Sequence, residues 1–178
     1  MLFRSPYKHC EQKCDASSCD SMKCNASDLC LQSCSNGNCT SMTCDGKSCY
    51  QTCNRGNCDA MTCVKNTKSD SFCEQTSITA QMICDSESCN QNCNNGKCIM
   101  TCLSSVKRCT QNCDGGNCQY KCEAQDDCTL HCKGGSCTKI QPSTTKILPT
   151  TTPTSSSCCL QMSASAGLAL MFAVHTFM

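Results

Sequence analysis

Residues 30–44 read CLQSCSNGNCTSMTC, and residues 49–63 read CYQTCNRGNCDAMTC. Four cysteines fall at the same spacing in both, and Gln32 and Gln51, Gly37 and Gly56, Met42 and Met61 occupy matching places. The pattern extends outward in both directions. CEQKCDASSCDSMKC runs from Cys10 to Cys24, CNQNCNNGKCIMTC from Cys89 to Cys102, CTQNCDGGNCQYKC from Cys109 to Cys122, and CTLHCKGGSC from Cys128 to Cys137. Self-similarity at a period of about 20 residues marks a repeat architecture and has to be read before any single residue is. A Gln column (Gln12, Gln32, Gln51, Gln91, Gln111) and a Met column (Met22, Met42, Met61, Met100, with Tyr120 in the sixth unit) accompany the cysteines. Glycines (Gly37, Gly56, Gly96, Gly115, and Gly134 or Gly135) fall between the second and third cysteine.

Residues 69–84 fit as a fourth, decayed unit. Aligned on spacing, Ser69 takes the first cysteine position, Cys73 the second, Ile78 the third and Cys84 the fourth, with Met82 in the Met column. The chain then divides into an N-terminal segment (1–9), seven cysteine-rich units (10–137), a Thr/Ser/Pro-rich stalk (138–157) and a C-terminal tail (158–178).

Within a unit, the residues between the second and third cysteine are SNGN, NRGN, NNGK, DGGN or KGGS. Asn-Gly and Gly-Gly accept positive φ without steric penalty, so this is a tight turn. The C-x-Q-x-C arm alternates with period two and reads as a short strand, because Gly, Asn, Ser and Cys are poor helix formers. Two architectures fit. One is a string of small disulfide-rich knots with little regular structure beyond short β-strands. The other is a disulfide-stapled β-solenoid with one unit per coil, its Gln and Met columns forming ladders.

Composition sets the terms of stability. Of 178 residues, 27 are Cys, none is Trp, and aromatics are 4%. The apolar share of 39% falls to roughly a quarter once Cys is set aside. Such a chain buries too little aliphatic and aromatic area to offset its conformational entropy, so cross-links must substitute. Net charge is +1, from 15 basic and 14 acidic residues, with no basic stripe for nucleic acid and no acidic run for a mineral face.

Oxidised sulfur is favoured over bound metal. C-x-C and C-x-x-C spacings, which wrap two thiolates around one cation, do not occur, and His9, His131 and His175 do not recur with the unit. A thiolate metal-binding protein is the alternative, and it would require a reducing compartment. The fourth unit also suggests connectivity, since cysteines tend to be lost with their partners. Loss of the first and third positions together predicts Cys10–Cys19, Cys30–Cys39, Cys49–Cys58, Cys89–Cys98, Cys109–Cys118 and Cys128–Cys137. The fourth position would then reach the second of the next unit: Cys24–Cys34, Cys44–Cys53, Cys63–Cys73, Cys84–Cys93, Cys102–Cys113 and Cys122–Cys132. Cys14 is left over in that scheme.

The end of the chain reads as an attachment device. PSTTKILPTTTPTSSS, residues 142–157, is an extended stalk open to O-glycosylation. Ser155, Ser156 and Ser157, a spacer, and the apolar run GLALMFAVHTF follow the order of a glycosylphosphatidylinositol (GPI) signal, with attachment expected at one of the three serines. Asn25 and Asn38 sit in N-glycosylation sequons. MLFRSPYKH lacks the apolar core of a signal peptide, so the sequence reads as an N-terminally incomplete fragment.

No nucleophile–base pair, phosphate loop or paired-carboxylate pocket is evident, so no enzyme, catalytic residue or cofactor is expected. A lone Ser or Asp reads most simply as a solvated turn residue. The Cys-dense region from Cys10 to Cys137, followed by the Thr-rich stalk, resembles cysteine-rich proteins of invertebrate extracellular and skeletal organic matrices, such as those of coral skeletons. The repeats depart from the galaxin family in lacking its double-Cys motif. The resemblance implies a non-enzymatic matrix role, secreted or membrane-attached, with biomineralization as its setting and other matrix or cell-surface components as partners. A GPI-anchored recognition or adhesion protein presenting one face several times is the alternative.

Overall fold

A computed structural model describes residues 8–15, 18–64 and 69–141. Among these there are strands and turns and no helix. Each unit folds into one coil with two strands. The first strands are β1 (His9–Cys14), β3 (Leu29–Cys34), β5 (Ser48–Cys53), β7 (Phe72–Ser77), β9 (Ser88–Cys93), β11 (Arg108–Cys113) and β13 (Asp127–Cys132). The second strands are β2 (Ser18–Asn25), β4 (Asn38–Asp45), β6 (Asn57–Cys63), β8 (Gln81–Cys84), β10 (Ile99–Cys102), β12 (Gln119–Cys122) and β14 (Thr138–Lys139). Odd strands form one seven-stranded parallel sheet and even strands the other, each in coil order. The ordered β-solenoid is therefore the architecture formed, and the string of separate knots is not.

The register is residue for residue. Cys10, Gln12 and Cys14 lie opposite Cys30, Gln32 and Cys34, and these opposite Cys49, Gln51 and Cys53. Period-two alternation sends these side chains inward and leaves the residues between them on the surface: β3 buries Cys30, Gln32 and Cys34, whereas Leu29, Leu31 and Ser33 are half-exposed. On the even sheet Met22, Met42, Met61, Met82, Met100 and Tyr120 align in one column. Most of the buried apolar atoms of this fold belong to cysteine and methionine.

Coils stack closely at their turns. A Cβ on Gly56 would stand 2.6 Å from the Gly37 carbonyl oxygen, and one on Gly96 would stand 2.2 Å from the Gly116 carbonyl oxygen. Gly96 also has φ of +73°. The recurring glycine thus serves both the turn and the approach of the next coil.

The fourth unit differs from its expected alignment. Cys73 pairs in register with Cys49 and Cys89 and so holds the first position, not the second. Ser77, opposite Cys53 and Cys93, holds the second. Gln81 lies opposite Ile99, which places Ala80 at the third position, beside Cys98 in the core. Neither Ser69 nor Ile78 occupies a cysteine position. The spacing misled because this coil's turn is two residues shorter than its neighbours' and the linker before it is longer.

Candidate functional site

Three stripes run through the interior along the stack. The middle one is a chain of glutamine amides. Nε2 of each glutamine donates to Oε1 of the one in the preceding coil: Gln32 to Gln12 at 2.8 Å, Gln51 to Gln32 at 2.8 Å, Gln75 to Gln51 at 2.9 Å, Gln91 to Gln75 at 2.9 Å and Gln111 to Gln91 at 2.8 Å. The second amide hydrogen crosses to the opposite sheet, reaching the carbonyls of Met22 (from Gln32, 3.0 Å), Met42 (from Gln51, 2.9 Å), Met61 (from Gln75, 2.9 Å) and Met82 (from Gln91, 3.1 Å). A buried primary amide is tolerated only when such partners exist, and here every donor of the central residues is used. Gln75 is a full member of the ladder, 0% exposed. The C-x-Q motif around Cys73 carried that signal, which the misplaced fourth unit concealed.

The outer stripes are disulfides at the two corners where the chain passes between sheets. At one corner the second position bonds the third of its own coil: Cys14–Cys19, Cys34–Cys39, Cys53–Cys58, Cys93–Cys98, Cys113–Cys118 and Cys132–Cys137. At the other the fourth position bonds the first of the next coil: Cys24–Cys30, Cys44–Cys49, Cys63–Cys73, Cys84–Cys89, Cys102–Cys109 and Cys122–Cys128. The methionine column packs with the first of these stripes.

This connectivity corrects the expected one. Cys63–Cys73 is common to both. Cys10–Cys19, Cys30–Cys39, Cys49–Cys58, Cys89–Cys98, Cys109–Cys118 and Cys128–Cys137 do not form, nor do Cys24–Cys34, Cys44–Cys53, Cys84–Cys93, Cys102–Cys113 and Cys122–Cys132. The reason is strand length. The first and second cysteines of a unit stand at opposite ends of a strand, four residues or about 13 Å apart at ~3.3 Å per residue. A disulfide spans Cα separations of only about 4.4–6.8 Å, so each cysteine bonds across its own corner. The premise of paired loss survives: the missing pair is the second and third, Ser77 and Ala80, which are bonded cysteines in the other coils. Cys14, expected to be left over, is bonded to Cys19.

Cys24 stands within disulfide reach of two partners. It is joined to Cys10 and to Cys30, with Cα separations of 5.9 Å in each case. A sulfur carries one disulfide bond, and Cys24–Cys30 is the one of the two that follows the fourth-to-first pattern of the other coils. Other sulfur triplets within 4.8 Å, such as Cys14, Cys34 and Cys39, arise where two complete disulfides stack. Disulfide sulfur lacks the thiolate charge that metal ligation needs.

At the last coil both ladders change character. Leu130 stands opposite Gln111, and Lys139 opposite Tyr120. A depression of about 210 Å³ lies there, lined by residues including Gln111, Tyr120, Leu130 and Lys139; ligand sites are generally larger, at about 300–1,000 Å³. Asn38 is exposed at the start of β4, and Asn25 is half-exposed at the end of β2. The stalk from residue 142 onward, Ser155, Ser156, Ser157, Cys158, Cys159 and the tail lie outside the described residues.

The fold and its interior define a disulfide-stapled parallel β-solenoid, a design suited to an oxidising, extracellular environment. No family model, no curated protein and no solved structure matches the chain.

Proposed function

We propose that the protein is a non-enzymatic structural component of an extracellular or skeletal organic matrix, a short stapled rod held at a surface by its Thr/Ser/Pro stalk. The observation that carries this reading is the continuous interior. Glutamine amides link one coil to the next from Gln12 to Gln111, and a disulfide joins each consecutive pair of coils. Six inter-coil steps of ~4.8 Å make a rod about 29 Å long. One outward column varies from coil to coil: Glu11, Leu31, Tyr50, Glu74, Asn90, Thr110 and Thr129 share that position. Such a column presents no periodic carboxylate array to a mineral, which favours support over crystal contact as the role within a matrix.

The second reading, recognition at the cell surface, draws on the outward aromatic pair Tyr50 and Phe72, with ring centroids 5.7 Å apart and Tyr50 38% exposed. In both readings attachment is through a lipid on one of Ser155–Ser157, with the tail removed.

The test is fractionation of the producing tissue. The matrix role expects the protein in the insoluble extracellular fraction, protease-resistant until its disulfides are reduced. Anchoring expects release of cell-borne protein by phosphatidylinositol-specific phospholipase C. Recovery in the cytosol with most thiols free and metal-loaded would overturn the reading. Recovery as a cell-surface protein whose binding to neighbouring cells is lost in Tyr50→Ser would favour recognition.

A further inference from the structure

The outer face of the odd-numbered sheet carries an uninterrupted strip of uncharged hydrogen-bonding side chains. Ser33, Thr52, Thr76, Asn92 and Asn112 stand opposite one another on five successive strands, β3 to β11, and all are half-exposed. At ~4.8 Å per strand the strip is about 19 Å long. Its amides form a ladder: Asn112 Nδ2 donates to Asn92 Oδ1 at 2.7 Å and to Asn90 Oδ1 at 3.4 Å, and Asn92 Nδ2 donates to Thr76 Oγ1 at 3.5 Å. On the same face, beside Thr52 and Thr76, stand the rings of Tyr50 and Phe72, with centroids 5.7 Å apart. A depression of about 190 Å³ adjoins them, lined by residues including Leu31, Ser33, Tyr50 and Thr52.

We propose that this strip binds an uncharged, extended polysaccharide bearing acetamido groups, a chain of β-1,4-linked N-acetylglucosamine lying along the rod. The proposal rests on the matrix role above and names the rod's partner. Charge selects the class. None of the five side chains ionises, so the strip offers a polyanion no counter-charge and a mineral cation no carboxylate. In the neighbouring column Glu74 stands alone between Tyr50 and Asn90. A peptide that docks as an added strand needs an open edge, and β3 to β11 are paired on both sides.

A neutral sugar chain matches each feature. Hydroxyl and primary amide groups both donate and accept, as sugar hydroxyls do. An acetamido group holds the same N–H and C=O as Asn92 and Asn112, so it extends their ladder outward. The Tyr50 and Phe72 rings give the C–H face of a sugar ring an apolar surface to lie on. An extended β-linked chain advances by one ring, about 5 Å, per sugar, close to the ~4.8 Å between strands, so one sugar meets one coil. The even-numbered sheet lacks this pattern: its corresponding outward column runs Lys23, Thr43, Thr62, Ile83, Thr101 and Lys121, interrupted by an apolar residue and closed by charge.

The experiment uses the full chain, purified without reductant, with chitin powder as the probe and cellulose powder, which lacks acetamido groups, as the comparison. Retention on chitin is expected to be about tenfold tighter than on cellulose. It should be equal in low and high salt, because contacts between uncharged groups are not screened. Soluble oligomers of N-acetylglucosamine should bind more tightly with each added ring up to about five, one for each strand of the strip. Tyr50→Ala, and Asn92→Ala combined with Asn112→Ala, should each weaken binding about tenfold. Tyr50→Phe keeps the ring and should bind as the unsubstituted chain does. Thr43→Ala with Thr62→Ala, half-exposed on the other face, should change nothing. All these side chains lie at the surface, and an unchanged thermal midpoint shows that each variant keeps the solenoid. No retention on chitin, equal retention on cellulose, release by salt, or strip variants that bind like the unsubstituted chain would overturn the proposal. The matrix role would survive that result, since it is read from the insoluble extracellular fraction. Recovery in the cytosol would remove the matrix role and leave the chitin result as measured.

Discussion

Coil four and coil five are neighbours in the same stack, built with different hardware. Coil five has the complete set: Cys84–Cys89 at one corner, Cys93–Cys98 at the other, a four-residue turn with Gly96, and Gln91 and Met100 inside. Coil four keeps Cys73, Gln75, Met82 and Cys84 but has Ser77 and Ala80 where the second disulfide would be. There the Ser77 hydroxyl accepts from the amides of Thr79 (3.3 Å) and Ala80 (3.1 Å), closing a shorter turn by hydrogen bonds. Strand pairing continues through coil four with unbroken register on both sides. A local disulfide can thus be exchanged for a local hydrogen-bonded turn, because both close the same small loop. The glutamine has no such local substitute, since its partners belong to three different coils and both sheets.

That difference is tested most severely at Gln75. Gln75→Ala opens a cavity at a fully buried site and removes the acceptor for Gln91 and the donor for Gln51 and the Met61 carbonyl. Core truncation and orphaned buried polar groups together predict a loss of about 4 kcal/mol, read as a lowered urea midpoint. A loss below that of deleting one disulfide would show that the ladder is not what carries the register through coil four.

The turns sharpen the comparison next. Gly96→Ala places a Cβ 2.2 Å from the Gly116 carbonyl oxygen at a φ of +73°. Crowding and backbone strain predict a loss of about 3 kcal/mol. The glycine-free turn of coil four, Ile78–Thr79, should accept Thr79→Ala with only a small change in the same unfolding assay.

Converting coil five to the coil-four arrangement is a milder change. Cys93→Ser with Cys98→Ala removes a disulfide closing a loop of about six residues, for which loop entropy predicts about 2 kcal/mol. Cys98→Ala alone leaves the buried Cys93 thiol without its partner and should be no more stable than the double variant. Thermal unfolding of both, without reductant, decides this; a double variant that fails to fold would contradict the lesson drawn from coil four.

How much of this was legible in the sequence follows from the physics of each feature. The coil repeat, the strand character of C-x-Q-x-C and the glycine turns were readable because period-two alternation and positive-φ residues act locally. The choice of solenoid over separate knots was not, since both need the same short strands and turns; register between coils is a long-range property. Connectivity failed for a narrower reason. Aligning residues 69–84 by total spacing moved Cys73 by one position, and every inferred bond except Cys63–Cys73 was misplaced with it. Treating Cys73-Glu74-Gln75 as the C-x-Q motif puts Ser77 at the second position and points to the bond between second and third positions. The shared reach of Cys24 was beyond the sequence, because it depends on Cys10 and Cys30 standing opposite each other across β1 and β3.

The smallest expected effect concerns the linker that makes coil four irregular. Before β7 the chain turns at Asp70, whose φ is +59°. Glu87, at the corner between β8 and β9, anchors that turn by accepting from the Asp70 amide at 2.9 Å and from Lys107 Nζ at 2.7 Å. The Lys107 hydrogen bond, then the Asp70 amide, hold the Glu87 carboxyl below the ordinary carboxylate range, and the hydrogen bond from Glu87 raises Lys107 above the ordinary lysine range. Because the Glu87 value is lowered by folding, its contribution is present above the ordinary carboxylate value and lost as pH falls through the lowered one. Because the Lys107 value is raised, its contribution is present below the ordinary lysine value and lost as pH rises through the raised one. The anchor therefore holds across the neutral range and loosens at both extremes. The pair is reached by solvent and screened by salt, so the change in global stability should be barely measurable. The local change is measurable: exchange of the Asp70 amide, corrected for intrinsic rate, should speed up as pH falls below the carboxylate range, while amides in the regular β9–β11 ladder hold steady. Glu87→Gln should abolish that pH dependence at Asp70. An Asp70 amide that remains equally protected as Glu87 protonates would show that the linker is held by the Ser71 contacts to Glu87 and Ser88 instead.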